Sequence, residues 1–271
     1  MPHFNKKQKY NIEEYHMGAL MGEFIGTAIL ILLGNGVVAN VVLNKTKGHD
    51  SGWIVITMGW GMAVFIAVFV VGQFSGAHIN PAVTVGLAAA GLFNWAMVFP
   101  YIGAQMLGAA FGAFLVWLAY KDHFAATEDG GAKLAVHCTA PEIRKFPSNF
   151  MTEAIGTIML VFGVFYIASP GFMGSNGEML ETIVINGQEV GFGLGALSAL
   201  PVGFLVLAIG LSLGGPTGYA INPARDLGPR IMHAILPIPN KGSNDWSYSW
   251  VPVFGPIAGA LIAAGAYLLL S

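Results

Sequence analysis

Long apolar stretches separated by short polar segments dominate the pattern of this chain. Six of the stretches are long enough to cross a membrane as helices, and they cover residues 17–43, 53–72, 95–120, 150–168, 192–213 and 250–270. A helix needs about 20 apolar residues to cross a hydrocarbon core of roughly 30 Å. The pattern therefore predicts an all-α membrane protein with six transmembrane helices.

Two further apolar stretches, 80–90 and 222–234, are too short to cross a membrane. Each opens with Asn-Pro, which is a helix-start signal because Asn caps free backbone N–H groups and Pro is tolerated in the first turn. Two interpretations stay open at this point. The stretches are either half-spanning helices that re-enter the membrane, or amphipathic helices and loops at its surface.

The chain also contains an internal repeat. Residues 21–27 (MGEFIGT) align with 151–157 (MTEAIGT), and residues 76–82 (GAHINPA) align with 218–224 (GYAINPA). Each copy holds three full spans, and since three is odd the second copy lies inverted in the membrane. An inverted repeat with one short, Pro-interrupted segment in each half points to a transport site at the membrane midplane. The two copies cover approximately 17–120 and 149–270 of one transmembrane domain, 1–271.

Composition excludes several other classes of protein. The 271 residues are 55% hydrophobic and only 10% charged, whereas a soluble domain carries roughly 25% charged residues. The net charge of −2 and the lack of a basic stripe argue against nucleic-acid binding. Cys138 is the only cysteine, so no disulfide forms within the chain. Neither a metal-ligand spacing nor a nucleophile–base pair stands out, so we expect no metal, no cofactor and no enzyme activity.

Signals in the connecting segments are weaker. Lys6, Lys7 and Lys9 precede the first span and favour a cytoplasmic N-terminus, but the loop 169–190, which would lie on the same side, contains no Lys or Arg. In that loop, Asn186-Gly187 separates two short β-prone segments and indicates either a hairpin that forms a lid or an irregular loop. The polar first 16 residues and the long apolar run after them argue against a cleaved signal peptide.

At this point the residues resemble a known family. Two Asn-Pro-Ala boxes, in residues 75–82 and 218–225, each open a short segment in one half of the inverted repeat, as in the aquaporin superfamily. Asp226 directly after Arg225, followed by Gly-Pro-Arg at 228–230, resembles the glycerol facilitators, or aquaglyceroporins. The resemblance covers roughly residues 17–270. It implies an hourglass channel in each subunit, a homotetramer in the plasma membrane of a bacterium with cytoplasmic termini, and passive flow without a cofactor.

The resemblance also implies a selectivity filter, made of Trp60, Gly210, Tyr219 and Arg225. Tyr219 departs from the Phe of the best-known facilitator by one hydroxyl. From the residue alone, Arg225 is informative because an Arg at membrane depth costs at least about 2.5–3.5 kcal/mol and must face a cavity or a partner. A structural ion pair with Asp226 is the alternative. An apolar corner of Trp60 and Tyr219 opposite the Arg225 donors matches a polyol, which has one alkyl face and one hydroxyl face.

The channel centre is predicted to comprise Asn80, Pro81, Ala82, Asn222, Pro223 and Ala224. Both Asn side chains should cap a half-helix with oxygen and donate N–H groups into the lumen, where two helix N-termini oppose cations. The resemblance further implies that the lumen is lined by Gly76, Ala77, His78, Ile79, Ala220 and Ile221. For His78, a purely structural role is equally compatible. Glu23 and Glu153 are expected to be buried acceptors for loop N–H groups, and Asp226 to be paired with a basic group or to cap its half-helix.

We therefore predict a passive channel for glycerol and other small neutral solutes that also conducts water and excludes protons and ions. Dihydroxyacetone, urea, hydrogen peroxide and neutral lactic acid are further candidate solutes, and membrane lipid is the surrounding partner. A water-selective channel is the alternative within the same class. An ion-coupled secondary transporter is the alternative from another class, since inverted repeats and intramembrane Glu residues occur there too.

Overall fold

The computed structural model describes residues 12–167, 171–174, 179–180 and 182–271. Within these residues the chain is predominantly helical. The α-helices are α1 (Ile12–Val42), α2 (Trp53–Ser75), α3 (Pro81–Ala89), α4 (Val98–Ala126), α5 (Gly130–His137), α6 (Phe146–Tyr166), α7 (Leu200–Leu213), α8 (Pro223–Ile235) and α9 (Val251–Leu270). Short 3-10 helices cover Trp95–Met97 and Gly195–Ala199, and the strands are β1 (Phe172–Met173), β2 (Met179–Leu180), β3 (Thr182–Ile185) and β4 (Gln188–Gly191).

The prediction of six membrane-spanning helices is confirmed. The described residues contain six helices that are long and apolar enough, namely Met17–Val42, Trp53–Ser75, Trp95–Ala126, Phe146–Tyr166, Gly195–Leu213 and Val251–Leu270. This chain is therefore a multi-pass membrane protein. The two Asn-Pro segments are helices as well, α3 and α8, with 9 and 13 residues. Both helices are shorter than a span and lie inside the bundle, so the surface-helix interpretation is wrong.

Residues 121–148, which lie between the third and fourth predicted spans, form more helix than their polar sequence suggests. Helix α4 continues six residues beyond Tyr120, where the backbone is locally non-helical (φ −110°, ψ 16°). Asp129 then caps the short helix α5 by accepting a hydrogen bond from Gly131 N at 2.7 Å. Charged residues end the apolar pattern at 120, but the helical backbone needs no apolar side chain to continue.

The helices alternate in direction across the bundle. We call the face at which α1 begins the proximal face, and the face at which it ends the distal face. Helix α3 runs from the midplane to the proximal face, and α8 runs from the midplane to the distal face. The helices pack in equivalent pairs, α1 against α2 and α4, and α6 against α7 and α9. The two half-helices therefore meet N-terminus to N-terminus inside the bundle, as an inverted repeat requires.

Glycines allow the closest helix pairs to form. A Cβ atom added at Gly108 of α4 would overlap the carbonyl oxygen of Phe24 in α1. A Cβ added at Gly259 of α9 would overlap the carbonyl oxygen of Ala154 in α6. The same small-residue contact thus joins the equivalent helix pair in each half.

The segment between α6 and α7 contains the predicted hairpin. Strands β3 and β4 pair antiparallel, with Ile185 opposite Gln188. Asn186 and Gly187 form the turn with φ of 53° and 77°, as the tight hairpin turn with two left-handed residues requires. The hairpin at the proximal face is therefore confirmed, while its role as a lid stays a prediction. Lys6, Lys7 and Lys9, on which the predicted orientation depends, lie outside the described residues.

Candidate functional site

A cavity of about 260 Å³ lies along the centre of the bundle. Its walls come from both halves of the repeat, namely from α1, α2, α3, α6, α7, the start of α8 and the loops that precede α3 and α8. Trp60, Tyr219 and Arg225 line its distal part, and Asn80 and Asn222 line its middle. The cavity thus brings together predicted site residues that lie up to 165 positions apart in the chain (225 − 60 = 165).

The two loops that enter this cavity have the same unusual backbone. Before α3, Gly76, Ala77 and Ile79 have φ of 78°, 51° and 44°. Before α8, Gly218, Tyr219 and Ile221 have φ of 79°, 38° and 44°. The left-handed region costs a residue with a side chain about 1–2 kcal/mol, so each loop needs something that holds it in place.

Two buried glutamates supply that support. Glu23 accepts hydrogen bonds from the backbone N–H groups of His78 and Ile79 at 2.9 and 2.7 Å. Glu153 accepts from Ala220 and Ile221 at 3.0 and 2.8 Å. Each carboxylate oxygen therefore binds one loop N–H, which is the geometry that the sequence analysis expected of both residues. These charge-assisted bonds stabilise the strained loops at membrane depth.

The two box asparagines connect the halves at the midplane. Asn80 Oδ1 accepts from Ala82 N at 2.8 Å, and Asn222 Oδ1 accepts from Ala224 N at 3.0 Å, so both side chains cap their half-helices. Asn80 Nδ2 donates to Ile221 O at 2.8 Å, and Asn222 Nδ2 donates to Ile79 O at 2.9 Å.

This crossing pattern corrects one detail of the predicted centre. An amide nitrogen carries two N–H groups, and here one of them binds the opposite loop. Only the second N–H of each Asn is left for the lumen. The remaining box residues, Pro81, Ala82, Pro223 and Ala224, are buried in the first turns of α3 and α8 and do not line the cavity.

The distal part of the cavity is lined by residues that carry three buried polar atoms without a partner in the described structure. The Arg225 guanidinium lies over the Trp60 ring, with its carbon 4.3 Å from the ring centroid. Tyr219, 5% exposed, lines the same part of the cavity. Within the described part of the chain, Arg225 Nη1, Trp60 Nε1 and Tyr219 Oη have no hydrogen-bond partner. Buried polar atoms are normally hydrogen-bonded, and the three residues that carry these unpartnered atoms all line the cavity.

Gly210 occupies a different place from the other three predicted filter residues. It does not line the cavity and lies beside Tyr219 instead. A Cβ added at Gly210 would be 2.8 Å from Tyr219 Cζ and 3.0 Å from Thr57 Cγ2. The missing side chain therefore makes room for the Tyr219 ring rather than for a solute directly. The sequence could not reveal this, because residues 210 and 219 contact each other only after α7 ends and the chain turns back into the bundle.

Asp226 pairs with Arg230 and not with its neighbour Arg225. Arg230 Nε donates to Asp226 Oδ1 at 2.9 Å, and both side chains are fully buried. Asp226 Oδ2 accepts from the backbone N and the hydroxyl of Thr139, each at 2.7 Å. Arg230 also donates to the carbonyl oxygens of Thr139, Asn244 and Asp245 at 2.9–3.0 Å. The ion pair thus ties two distal loops to α8 and leaves the Arg225 side chain to the cavity.

Sequence reasoning missed two polar residues that support the site. Arg230 was noted only as part of a motif, although its position four residues after Asp226 is the spacing of a helical ion pair. Gln105 of α4 donates from Nε2 to Glu23 Oε2 at 2.7 Å and to Thr84 Oγ1 at 2.9 Å. A lone Gln in an apolar span was the available signal.

His78 combines the two roles that were held as alternatives. Its ring lines the cavity, and its Nδ1 lies 3.1 Å from Thr84 Oγ1. The ring also packs against the aromatic rings of Phe93 and Tyr101 at 4.5 and 5.0 Å. Among the described residues, no group of three His, Cys, Asp or Glu side chains could hold a metal ion.

Comparison with known proteins shows which family this chain resembles. The family model described as Major intrinsic protein matches residues 11–267. The chain is 56% identical over 251 residues to the probable glycerol uptake facilitator protein of Thermotoga maritima, covering 93% of this chain and 98% of that protein. It is 54% identical over 253 residues to the glycerol uptake facilitator protein of Streptococcus pneumoniae, covering 93% and 99%.

A solved structure supports the same assignment. The X-ray structure of the aquaglyceroporin from Plasmodium falciparum matches with a TM-score of 0.75 and 30% identity, over 93% of this chain and 95% of that one. The resemblance drawn from the two Asn-Pro-Ala boxes is thereby confirmed. A chain with this inverted repeat, these paired half-helices and these relatives belongs to the major intrinsic protein family, among its glycerol facilitators.

Proposed function

We propose that this chain is a passive transmembrane channel that conducts glycerol. The observation that carries the proposal is the asymmetric distal site, in which the Arg225 donors lie beside the Trp60 and Tyr219 rings in one continuous cavity. Relatives that are more than half identical are named glycerol uptake facilitators. Passive conduction is transport rather than catalysis, so the protein is not an enzyme and uses no cofactor.

The chemistry of the distal site fits the chemistry of glycerol. Glycerol has a carbon chain on one side and hydroxyl groups on the other. The two aromatic rings provide an apolar wall for the carbons, while Arg225 Nη1 is a buried donor without a protein partner in the described structure. A fixed guanidinium presents several donors in one plane. A neutral polyol can therefore exchange its hydration for contacts on both sides as it passes.

Charge at two levels of the cavity opposes ions and protons. The N-termini of α3 and α8 meet at the midplane, and each carries the equivalent of roughly +0.5 elementary charge. Arg225 adds a full positive charge in the distal part. Both charges repel cations, and the free N–H groups of Asn80 and Asn222 orient a passing oxygen as an acceptor. Water should permeate together with glycerol, as should dihydroxyacetone, urea, hydrogen peroxide and neutral lactic acid.

Assembly and location follow from the same reasoning. Many large apolar side chains on the spans are exposed, including Phe99 at 83% and Leu107 at 67%, so they need lipid or other subunits to cover them. We propose a homotetramer of single channel domains, with repeats at 17–120 and 149–270, in the plasma membrane of a bacterium. The proximal face, at which α1 begins and α9 ends, would be cytoplasmic, and no nucleic acid is involved.

Stopped-flow light scattering on proteoliposomes tests this function. We expect glycerol and water to equilibrate much faster than in protein-free vesicles, with a smaller effect for larger polyols. Fast water with background glycerol flux would indicate the water-selective alternative. Accumulation of glycerol driven by an imposed proton or sodium gradient would indicate the ion-coupled transporter, because a channel only equilibrates its solute.

A further inference from the structure

Trp53 does not line the cavity, but its side chain contacts residues of the predicted filter on the side that faces away from the cavity. It is the first residue of α2, seven residues before Trp60, which is about two helical turns along the same face. Its indole N–H donates to Gly210 O at 3.1 Å. Its ring lies edge-on to the Tyr219 ring, with 5.7 Å between centroids and an interplanar angle of 78°. Trp53 thus contacts both Gly210 and Tyr219.

The hydrogen bond from Trp53 gives a partner to a carbonyl group at the end of α7. Gly210 lies in the last turn of α7, which ends at Leu213. The last four carbonyl groups of a helix have no donor from a following turn. Trp53 supplies that donor at Gly210, and so joins the start of α2 to the end of α7 at the level of the filter.

The Tyr219 ring depends on packing for its position. Its hydroxyl has no hydrogen-bond partner in the described structure, and its backbone is left-handed, with φ of 38°. A Cβ added at Gly214 would lie 2.6 Å from Tyr219 Cδ1 and 2.7 Å from Trp53 Cζ2. The ring is therefore enclosed between α7 on one side and Trp53 on another, and no polar contact fixes it.

We infer that Trp53 is a positioning residue for the filter, which sets the width of the channel by holding the Tyr219 ring and the end of α7. The inference rests on the proposed channel function. Trp53 does not line the central cavity, and its side chain opens to the distal surface, where 39% of the residue is exposed. It acts through Tyr219 and not by contact with the solute.

The test compares Trp53→Phe, which removes the N–H, and Trp53→Leu, which also removes the aromatic edge. Trp95→Phe is the matched control, because Trp95 lies before α4 near the proximal face and is 58% exposed. Permeability to water, glycerol and the four-carbon polyol erythritol is measured on the same proteoliposomes. With its support removed, the Tyr219 ring relaxes away from the lumen. The erythritol-to-glycerol ratio should rise about threefold for Trp53→Phe, the factor that one neutral hydrogen bond provides, and further for Trp53→Leu.

A second substitution separates positioning from general loss of structure. In a Tyr219→Leu background there is no ring to hold and only the bond to Gly210 O is lost, so adding Trp53→Leu should change the erythritol-to-glycerol ratio much less than it does in the unmodified protein. Equal effects of Trp53→Leu in both backgrounds would overturn the inference, because Trp53 would then act independently of Tyr219.

If Trp53→Leu fails to assemble, two glycines provide an independent comparison. Gly214→Ala forces Trp53, Tyr219 and Gly210 apart, whereas Gly215→Ala enters open space. Only the former should change the ratio. An unchanged ratio for both Trp53→Phe and Gly214→Ala, with normal glycerol flux in the unmodified protein, would refute the role of Trp53 and leave the channel function intact. Absence of glycerol flux in the unmodified protein would instead refute the function itself.

Discussion

Gly34→Ala gives a sharp test of the proposed filter, because it moves Trp60, a predicted filter residue, without altering any side chain in the cavity. Gly34 is buried in α1 behind Trp60 and does not line the cavity. A methyl group at this position would overlap three carbons of the six-membered ring of Trp60. Normal carbon–carbon contact is about 3.5–4.0 Å, so the ring must shift by about 1 Å or more. The ring also contacts Arg225, whose guanidinium carbon lies 4.3 Å from its centroid, so a shift of the ring alters the distal site.

The expected effect follows from the displacement of the Trp60 ring. Overpacking by a methyl group lowers the stability of the fold by about 1–3 kcal/mol, whereas the solute experiences the moved ring as a higher barrier, and a barrier raised by about 1.4 kcal/mol slows permeation about tenfold. Glycerol permeability should therefore fall about tenfold. Water permeability should fall less than about twofold, because the smaller molecule still passes the narrowed site. Paired stopped-flow measurements on the same proteoliposomes, normalised to protein content, give both numbers.

Gly36→Ala is the matched control for this experiment. It places the same methyl group two residues further along α1, where nothing lies within 4 Å. We expect both permeabilities to match those of the unmodified protein. Equal losses of water and glycerol in Gly34→Ala would indicate damage to folding. Unchanged glycerol flux in a stable Gly34→Ala protein would refute the assignment of Trp60 to the filter.

Four further predictions follow from the site and the distal surface. Arg225→Ala should raise cation and proton leak in liposomes under an applied potential, since it removes the fixed positive charge; no change in leak or solute rate would remove this residue from the filter. Gly210→His should displace the Tyr219 ring and suppress glycerol flux more than water flux in paired assays, because an added Cβ already lies 2.8 Å from the ring. Tyr219→Phe should raise the glycerol-to-water ratio in the same paired assays, because it removes a hydroxyl without a partner in the described structure and leaves more room for the wider solute. Burial raises the pKa of Asp245, but hydrogen bonds from Arg144 and Ser247 outweigh the effect of burial and lower the pKa below its ordinary value. The ionised Asp245 therefore stabilises the fold above its ordinary pKa, and this stabilisation is lost as the pH falls through the lowered pKa of the folded state. Asp245→Asn should accordingly lower the unfolding temperature at pH 7 and have no effect near pH 2.

The sequence by itself determined the membrane architecture and the inverted repeat. Spans of about 20 apolar residues have one stable form in a hydrocarbon core, because the backbone must satisfy its own hydrogen bonds there. The two Asn-Pro-Ala boxes identified the half-helices, because the Asn side chain caps a helix that begins directly after it and Pro is tolerated in the first turn of that helix. Roles could also be assigned to two pairs of residues, Asn80 with Asn222 and Glu23 with Glu153, because the members of each pair occupy equivalent places in the two repeats.

Only the tertiary structure decided which side chains meet. It placed Gly210 behind Tyr219, paired Asp226 with Arg230 and brought Trp53 to the end of α7. Trp53 and Gly210 are 157 residues apart, and no local pattern connects them. Hydropathy and helix capping are properties of a short segment of chain, whereas these contacts depend on how α2, α7 and α8 pack at the distal end of the bundle. Their positions are set by the packing of the whole bundle, and that packing determines the width of the channel.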